Sequence, residues 1–121
     1  AGDDGCWVGV TLYWQGRRAP LPDYTVFVHV VERGGSSDIG RIRAQRDTAP
    51  VDGSRPTAGW LAGEVVIDAY TLDPNEKRVP GNYRIAVGMY DPHTMARLEM
   101  RHPTGERLPD DRLILTELQV H

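Results

Sequence analysis

The chain has 121 residues, a formal net charge of −3, and 26% charged and 40% hydrophobic residues. This length and composition are typical of a folded domain with a core of its own and exclude a wholly disordered chain. The acidic balance and the scattered arginines disfavour a nucleic-acid partner, which calls for a basic stripe. No apolar run approaches the ~20 residues of a membrane helix.

The first residues are small and polar, and there is no initiator methionine. We therefore interpret residues 1–121 as a single domain that is either processed or cut from a longer protein. Cys6 is the only cysteine, so an internal disulfide cannot form. A lone thiol beside Trp7 is more typical of a small buried hydrophobic residue than of a nucleophile.

The first predicted strand covers residues 6–14, where Cys6, Val8, Val10, Leu12 and Trp14 form one apolar face. Residues 24–32 form the second strand. Its two faces are both largely apolar, which indicates a central strand of a sheet. The third strand, residues 39–48, is more polar and is expected nearer an edge.

A long loop follows over residues 49–63, which contains Pro50, Pro56 and three glycines. The fourth predicted strand covers residues 64–71. The clearest alternation lies in the fifth, residues 82–90, after the Pro80-Gly81 turn. There Tyr83, Ile85 and Val87 alternate with polar or small residues, and we predict that these three belong to the core.

A short strand at residues 96–100 and a last strand at residues 112–120 complete the predicted elements. No stretch shows a sustained helical period. About seven or eight strands separated by Gly/Pro turns predict an all-β domain with a single antiparallel β-sandwich. The sandwich is expected to be immunoglobulin-like or jelly-roll-like, and a small barrel is the alternative.

The sequence contains no catalytic or metal-binding motif. None of the four histidines has a partner at metal-ligand spacing, and His29 lies inside an apolar strand, as a hydrogen-bonded core histidine does. No serine stands in a G-x-S-x-G setting. We therefore predict no catalytic residues, no metal site and no cofactor, and we do not expect the chain to be an enzyme.

The candidate binding residues surround the long loop. Trp60 stands within the loop, and the acidic residues that flank it are Asp47, Glu64 and Asp68, with Asp52 inside it. An exposed indole stacks on sugar rings and carboxylates hydrogen-bond hydroxyl groups, so this set suggests weak carbohydrate binding. The alternative for Trp60 is a plug that closes the end of the fold. The carboxylates could instead form a hydrolase pair or a Ca²⁺ site.

Several motifs occur together along the chain: W-x-x-G-E at residues 60–64, P-G-x-Y at 80–83 and G-x-Y-D-P at 88–92. With the strands that flank them, they resemble a module at the C-terminal, extracytoplasmic end of polytopic bacterial membrane proteins. Many of these proteins are described as glycosyltransferases of the protein-mannosyltransferase type. The resemblance covers residues 10–120 and implies a β-sandwich without catalytic residues of its own. It departs at residues 34–37 and 100–103.

These observations lead to a ranked set of functions. The first is a non-catalytic accessory or binding domain of a bacterial membrane or envelope protein, directed to carbohydrate. The second is a β-sandwich that only packs against its parent chain or a partner, and the third is a small hydrolase that uses the loop carboxylates. The resemblance implies a membrane-anchored parent and a position on the extracytoplasmic face, while the domain itself is not expected to enter the membrane.

Overall fold

The computed structural model describes residues 8–33, 42–72 and 81–120. This part of the chain is all-β and forms two antiparallel sheets. The strands are β1 (Val8–Gln15), β2 (Thr25–Glu32), β3 (Ile42–Thr48), β4 (Val65–Leu72), β5 (Gly81–Tyr90) and β6 (Leu113–Val120). Each of the six long predicted strands is confirmed, with ends within a few residues of the prediction. Cys6, Trp7, Pro80 and the beginning of the predicted third strand lie outside the described residues.

The predicted short strand at residues 96–100 is wrong. A tight turn precedes it, in which the Met95 N–H donates to the Asp91 carbonyl at 2.7 Å. Beyond the turn Arg97 makes only an isolated bridge to Tyr90, and Arg101 makes another to Arg107. The described residues therefore hold six strands rather than seven or eight.

β1 and β4 form the two-stranded sheet, and the other four strands form a sheet in the order β3-β2-β5-β6. The central position predicted for β2 and the edge position predicted for β3 are both confirmed. The inner faces of the two sheets share one apolar core. Its buried members are Val10, Leu12, Val26, Val28, Val30, Tyr70, Leu72, Tyr83, Ile85 and Val87. The predicted core residues of the fifth strand are among them.

The face that β4 turns toward the core includes a carboxylate. Its buried positions are Val66, Asp68, Tyr70 and Leu72, while Val65, Ile67, Ala69 and Thr71 point outward. A carboxylate is thus inside and two β-branched aliphatic side chains are outside. Hydrogen bonds to the carboxylate explain its position, as described below.

On the outward face of the four-stranded sheet, the part around Phe27 on β2 and Gly88 on β5 is covered by the chain between β5 and β6. Phe27 packs directly on Gly88, where an added Cβ would lie 2.5 Å from the ring. The Arg97 guanidinium lies over the Phe27 ring, 4.5 Å from its centroid. Ala86 lies on the same face of β5 and is also buried, so both faces are interior in the central parts of β2 and β5.

Candidate functional site

Trp60 closes one end of the core rather than offering a free ring face. A short 3-10 turn, Thr57–Gly59, precedes it, and its indole N–H donates to the Arg55 carbonyl at 3.0 Å. Only 4% of its surface is exposed. Its ring lies against Gly16, at 3.5 Å from the position that a Cβ would take there. This geometry is that of the plug considered as the alternative for Trp60.

Glu64 is joined to Trp60 through Arg55. The Arg55 guanidinium donates to one Glu64 carboxylate oxygen at 2.5 Å, and the Leu61 N–H donates to the other at 3.0 Å. The hydrogen bond from Arg55 lowers the pKa of the Glu64 carboxyl below its usual value. The carboxylate therefore stabilises the end of the long loop.

Asp68 is fully buried and holds the other end of that loop. One of its oxygens accepts from the Trp14 indole at 3.1 Å and from the Tyr70 hydroxyl at 2.6 Å, and the second accepts from the Val51 N–H at 2.8 Å. Burial, followed by the bond to Asp68, raises the pKa of Tyr70. Three donors satisfy the carboxylate, which explains why it faces the core.

Asp47 lies elsewhere, on the outward face of the four-stranded sheet. The register of β2 and β3 places it opposite Phe27, and the Tyr90 hydroxyl donates to it at 3.0 Å. Desolvation and then this bond raise the pKa of Tyr90. Asp52 forms an ion pair with Arg46. The predicted acidic residues therefore do not converge on one site, since Asp68 is in the core and Asp47 is on the opposite side of a sheet.

His29 adjoins Asp47 at the edge of a cavity of about 220 Å³ that Tyr90 and Arg97 also line. Its Nε2 atom is buried, lies 3.5 Å from an Asp47 oxygen and makes no hydrogen bond. Burial lowers the pKa of His29, and the nearby carboxylate offsets part of this effect. The prediction that His29 is buried is therefore confirmed, and its neighbour at Nε2 is the Asp47 carboxylate, at ion-pair distance rather than in a hydrogen bond.

A larger cavity, of about 380 Å³, opens where the inner faces of the two sheets end. Trp60 forms part of its wall together with Trp14 and Tyr24, and Arg17 and Arg18 stand at its margin. Of this group, sequence reasoning named only Trp60 as a candidate binding residue. The available sequence signal for this cavity was the adjacent pair Arg17-Arg18, which follows Trp14 within four residues.

The outward face of the two-stranded sheet is exposed and uncharged. Tyr13 and Ile67 are directly opposite each other in the β1–β4 ladder and are 69% and 59% exposed. The outward-facing residues are Gly9, Thr11, Tyr13 and Gln15 on β1 and Val65, Ile67, Ala69 and Thr71 on β4. We call these residues the outer β1–β4 face. None of them carries a charge, although 26% of the chain is charged.

No group of three or more His, Cys, Asp or Glu residues within the described ranges could hold a metal ion. No helix in the same part of the chain is long and apolar enough to cross a membrane. Comparison with protein-family models found no match, and comparisons with curated proteins and with solved structures found no significant match.

Proposed function

We propose that this chain is a non-catalytic accessory module that packs against another polypeptide through the outer β1–β4 face. The observation that carries the proposal is the absence of charge on this exposed face, at whose centre Tyr13 and Ile67 are paired. Solvated sheet faces normally carry charged residues, whereas the centres of protein interfaces lack them and are enriched in tyrosine.

The two sheets are proposed to form a β-sandwich of the immunoglobulin-like or jelly-roll-like type. Residues from the inner faces of both sheets contribute to one core, which supports this arrangement. A sandwich with one outward face that no described residue covers is suited to docking, because its rigid core presents a preformed surface.

Carbohydrate binding at Trp60, the function ranked first from the sequence, is less favoured by the geometry. The indole is almost entirely buried, and Asp68 and Glu64 already accept hydrogen bonds from the protein. The hydrolase is also less favoured, because Asp47 and Asp68 lie on different faces of the fold.

The motifs at residues 60–64, 80–83 and 88–92 support a further part of the proposal. They suggest that the parent is a bacterial membrane or envelope protein and that the module lies on its extracytoplasmic side. The other polypeptide would then be the rest of the parent chain or a neighbour in the envelope.

Cysteine labelling tests both parts of the proposal. In a Cys6→Ser background, Ile67→Cys should react freely with a maleimide in the 121-residue chain and about tenfold more slowly in the intact protein in its own cells, as expected for an interface centre. Glu106→Cys, on an exposed turn, is the control and should react equally in both. Equal labelling at position 67 would contradict the packing role.

A membrane-impermeant maleimide applied to whole cells separates the two parts. It should label the Glu106→Cys protein from outside if the module is extracytoplasmic. If the control cysteine is labelled only after lysis, the location is wrong, while the packing role is still judged by position 67.

A further inference from the structure

The cavity of about 380 Å³ at the end of the core is large enough for a small organic group. Its walls are mainly apolar, and Trp14, Trp60, Leu21, Met89 and Leu98 are among the residues that line it. It opens to solvent beside Arg17 and Arg18, which are both exposed. An apolar space next to two cations is not needed to close the core.

The two arginines are unusual in this chain. Across the residues that the structure describes, most other arginine side chains pair with a carboxylate or a carbonyl group, as Arg55 does with Glu64. Neither Arg17 nor Arg18 has such a partner within the same ranges. Within the described ranges no acidic residue lines the cavity, so the described residues make its margin locally positive, although the chain has a net charge of −3.

Two polar side chains in the wall, Thr57 and Gln15, already make hydrogen bonds within the protein. The Thr57 hydroxyl donates to the Pro22 carbonyl at 2.5 Å and accepts from the Tyr24 N–H at 2.9 Å. The Gln15 amide donates to the Gly63 carbonyl at 3.0 Å. Apart from the two guanidinium groups at the margin, these side chains leave few hydrogen-bond partners for a sugar, which needs several.

We infer that this cavity binds an anionic amphiphile: a short alkyl or aryl group enters the apolar space, and a carboxylate or phosphate group binds Arg17 and Arg18. Burial of the apolar group supplies the affinity, and guanidinium groups are well matched to both kinds of anion. The site is distinct from the outer β1–β4 face, with which it shares only Gln15, so it does not depend on the packing role.

The test uses the 121-residue chain and a series of probes below their micelle concentrations. Hexanoate, octanoate and decanoate are titrated by calorimetry, in parallel with the alkyl phosphates of the same lengths. Affinity should rise about three- to fourfold for each added methylene until the cavity is full. The relative strength of the two series distinguishes a fatty acid from a phosphorylated lipid as the source of the ligand.

Nuclear magnetic resonance locates the binding. The indole N–H groups of Trp14 and Trp60 have internal acceptors, so their resonances should be sharp and should shift on addition of octanoate or octyl phosphate. Inorganic phosphate alone and methyl glucoside should leave them unchanged.

The double variant Arg17→Gln/Arg18→Gln tests the head-group contact without disturbing the core. It should lower the affinity for octanoate or octyl phosphate about five- to tenfold at low salt. Arg33→Gln/Arg101→Gln removes the same charge from exposed residues that do not line the cavity, and should leave the affinity unchanged.

Three results would overturn the inference. The first is that octyl glucoside, which is neutral, binds as tightly as octanoate or octyl phosphate. The second is that the Arg17→Gln/Arg18→Gln variant binds these two anions as tightly as the parent chain does. The third is that methyl glucoside shifts the indole resonances and the amphiphiles do not. The last result would indicate that the cavity binds carbohydrate instead.

Discussion

The outward faces of the two sheets differ in whether other described parts of the chain cover them. On the four-stranded sheet, the segment between β5 and β6 covers the surface around Phe27, which is only 1% exposed between Gly88 and the Arg97 guanidinium. On the two-stranded sheet, Tyr13 and Ile67 face outward with more than half of their surface exposed. Both faces carry apolar side chains, but only one has a cover among the described residues.

This difference shows that an apolar outward face does not by itself identify a surface for partners. The face around Phe27 is a second, smaller core that the chain completes with its own loop, and it contributes to stability. The face around Tyr13 gains no such burial from the described residues, so its side chains are expected to contribute little to folding. Their value to the protein is therefore more readily explained by docking.

Truncation of one aromatic residue on each face should give the largest contrast. Phe27→Ala removes a buried ring that packs on Gly88 and Arg97, and should lower the free energy of unfolding by about 3–5 kcal/mol. Tyr13→Ala should change it by less than about 0.5 kcal/mol. Urea unfolding of the two variants measures both values. Similar losses would mean that the two faces do not differ in cover.

A methyl group added beneath the covered face should have the next largest effect. In Gly88→Ala the new Cβ would lie 2.5 Å from the Phe27 ring and 3.0 Å from the Asp111 carbonyl oxygen, which should cost about 1–3 kcal/mol of stability.

Gly9→Ala is the matched control on the bare face, where the added methyl group would have no neighbour within 4 Å. Its urea midpoint should be unchanged or slightly higher, because alanine is less costly than glycine in a strand. A Gly88→Ala protein as stable as the parent would show that the cover is loose.

Much of the fold could be predicted because its signals are local. Alternation and Gly/Pro turns indicated all six strands, and the pattern around Ile85 identified a core face. The orientation of β4 could not be derived in this way. Val65 and Ile67 are as apolar as Val66, and the choice depends on Asp68, whose donors Trp14 and Val51 are 54 and 17 residues away in the chain.

The candidate site was harder to predict for the same reason. Asp47 and Asp68 flank one loop in sequence, but strand register sends them to different faces. The cavity at the end of the core combines residues from several separate segments, including Arg17 and Leu98. Such a meeting of distant residues has no local sequence signal.

The covered face should also respond to acid. Burial lowers the pKa of His29 from its ordinary value of 6.5, so the unfolded chain takes up this proton more readily than the folded one. The stability that this histidine contributes is complete above about pH 6.5 and is lost as the pH falls through the lowered value.

The measurement is the urea midpoint at a series of pH values between neutral and mildly acidic. His29→Gln should flatten the decline on the acid side, because it removes the group that must be protonated. His93→Gln, which alters an exposed histidine, is the control. An unchanged decline in His29→Gln would show that another group is responsible.

The smallest effect on stability, and the sharpest test of the bare face, should come from Tyr13→Thr/Ile67→Thr. Threonine suits a strand, so the free energy of unfolding should change by less than about 0.5 kcal/mol. The described residues leave the outer β1–β4 face exposed, so the 121-residue chain should self-associate weakly and reversibly at high concentration, and this variant should remain monomeric in sedimentation velocity. Ile42→Thr/Leu115→Thr removes exposed apolar side chains from the other sheet and should associate as the parent does. If both variants associate equally, the outer β1–β4 face is ordinary surface, and the contrast between the two sheets has no functional meaning.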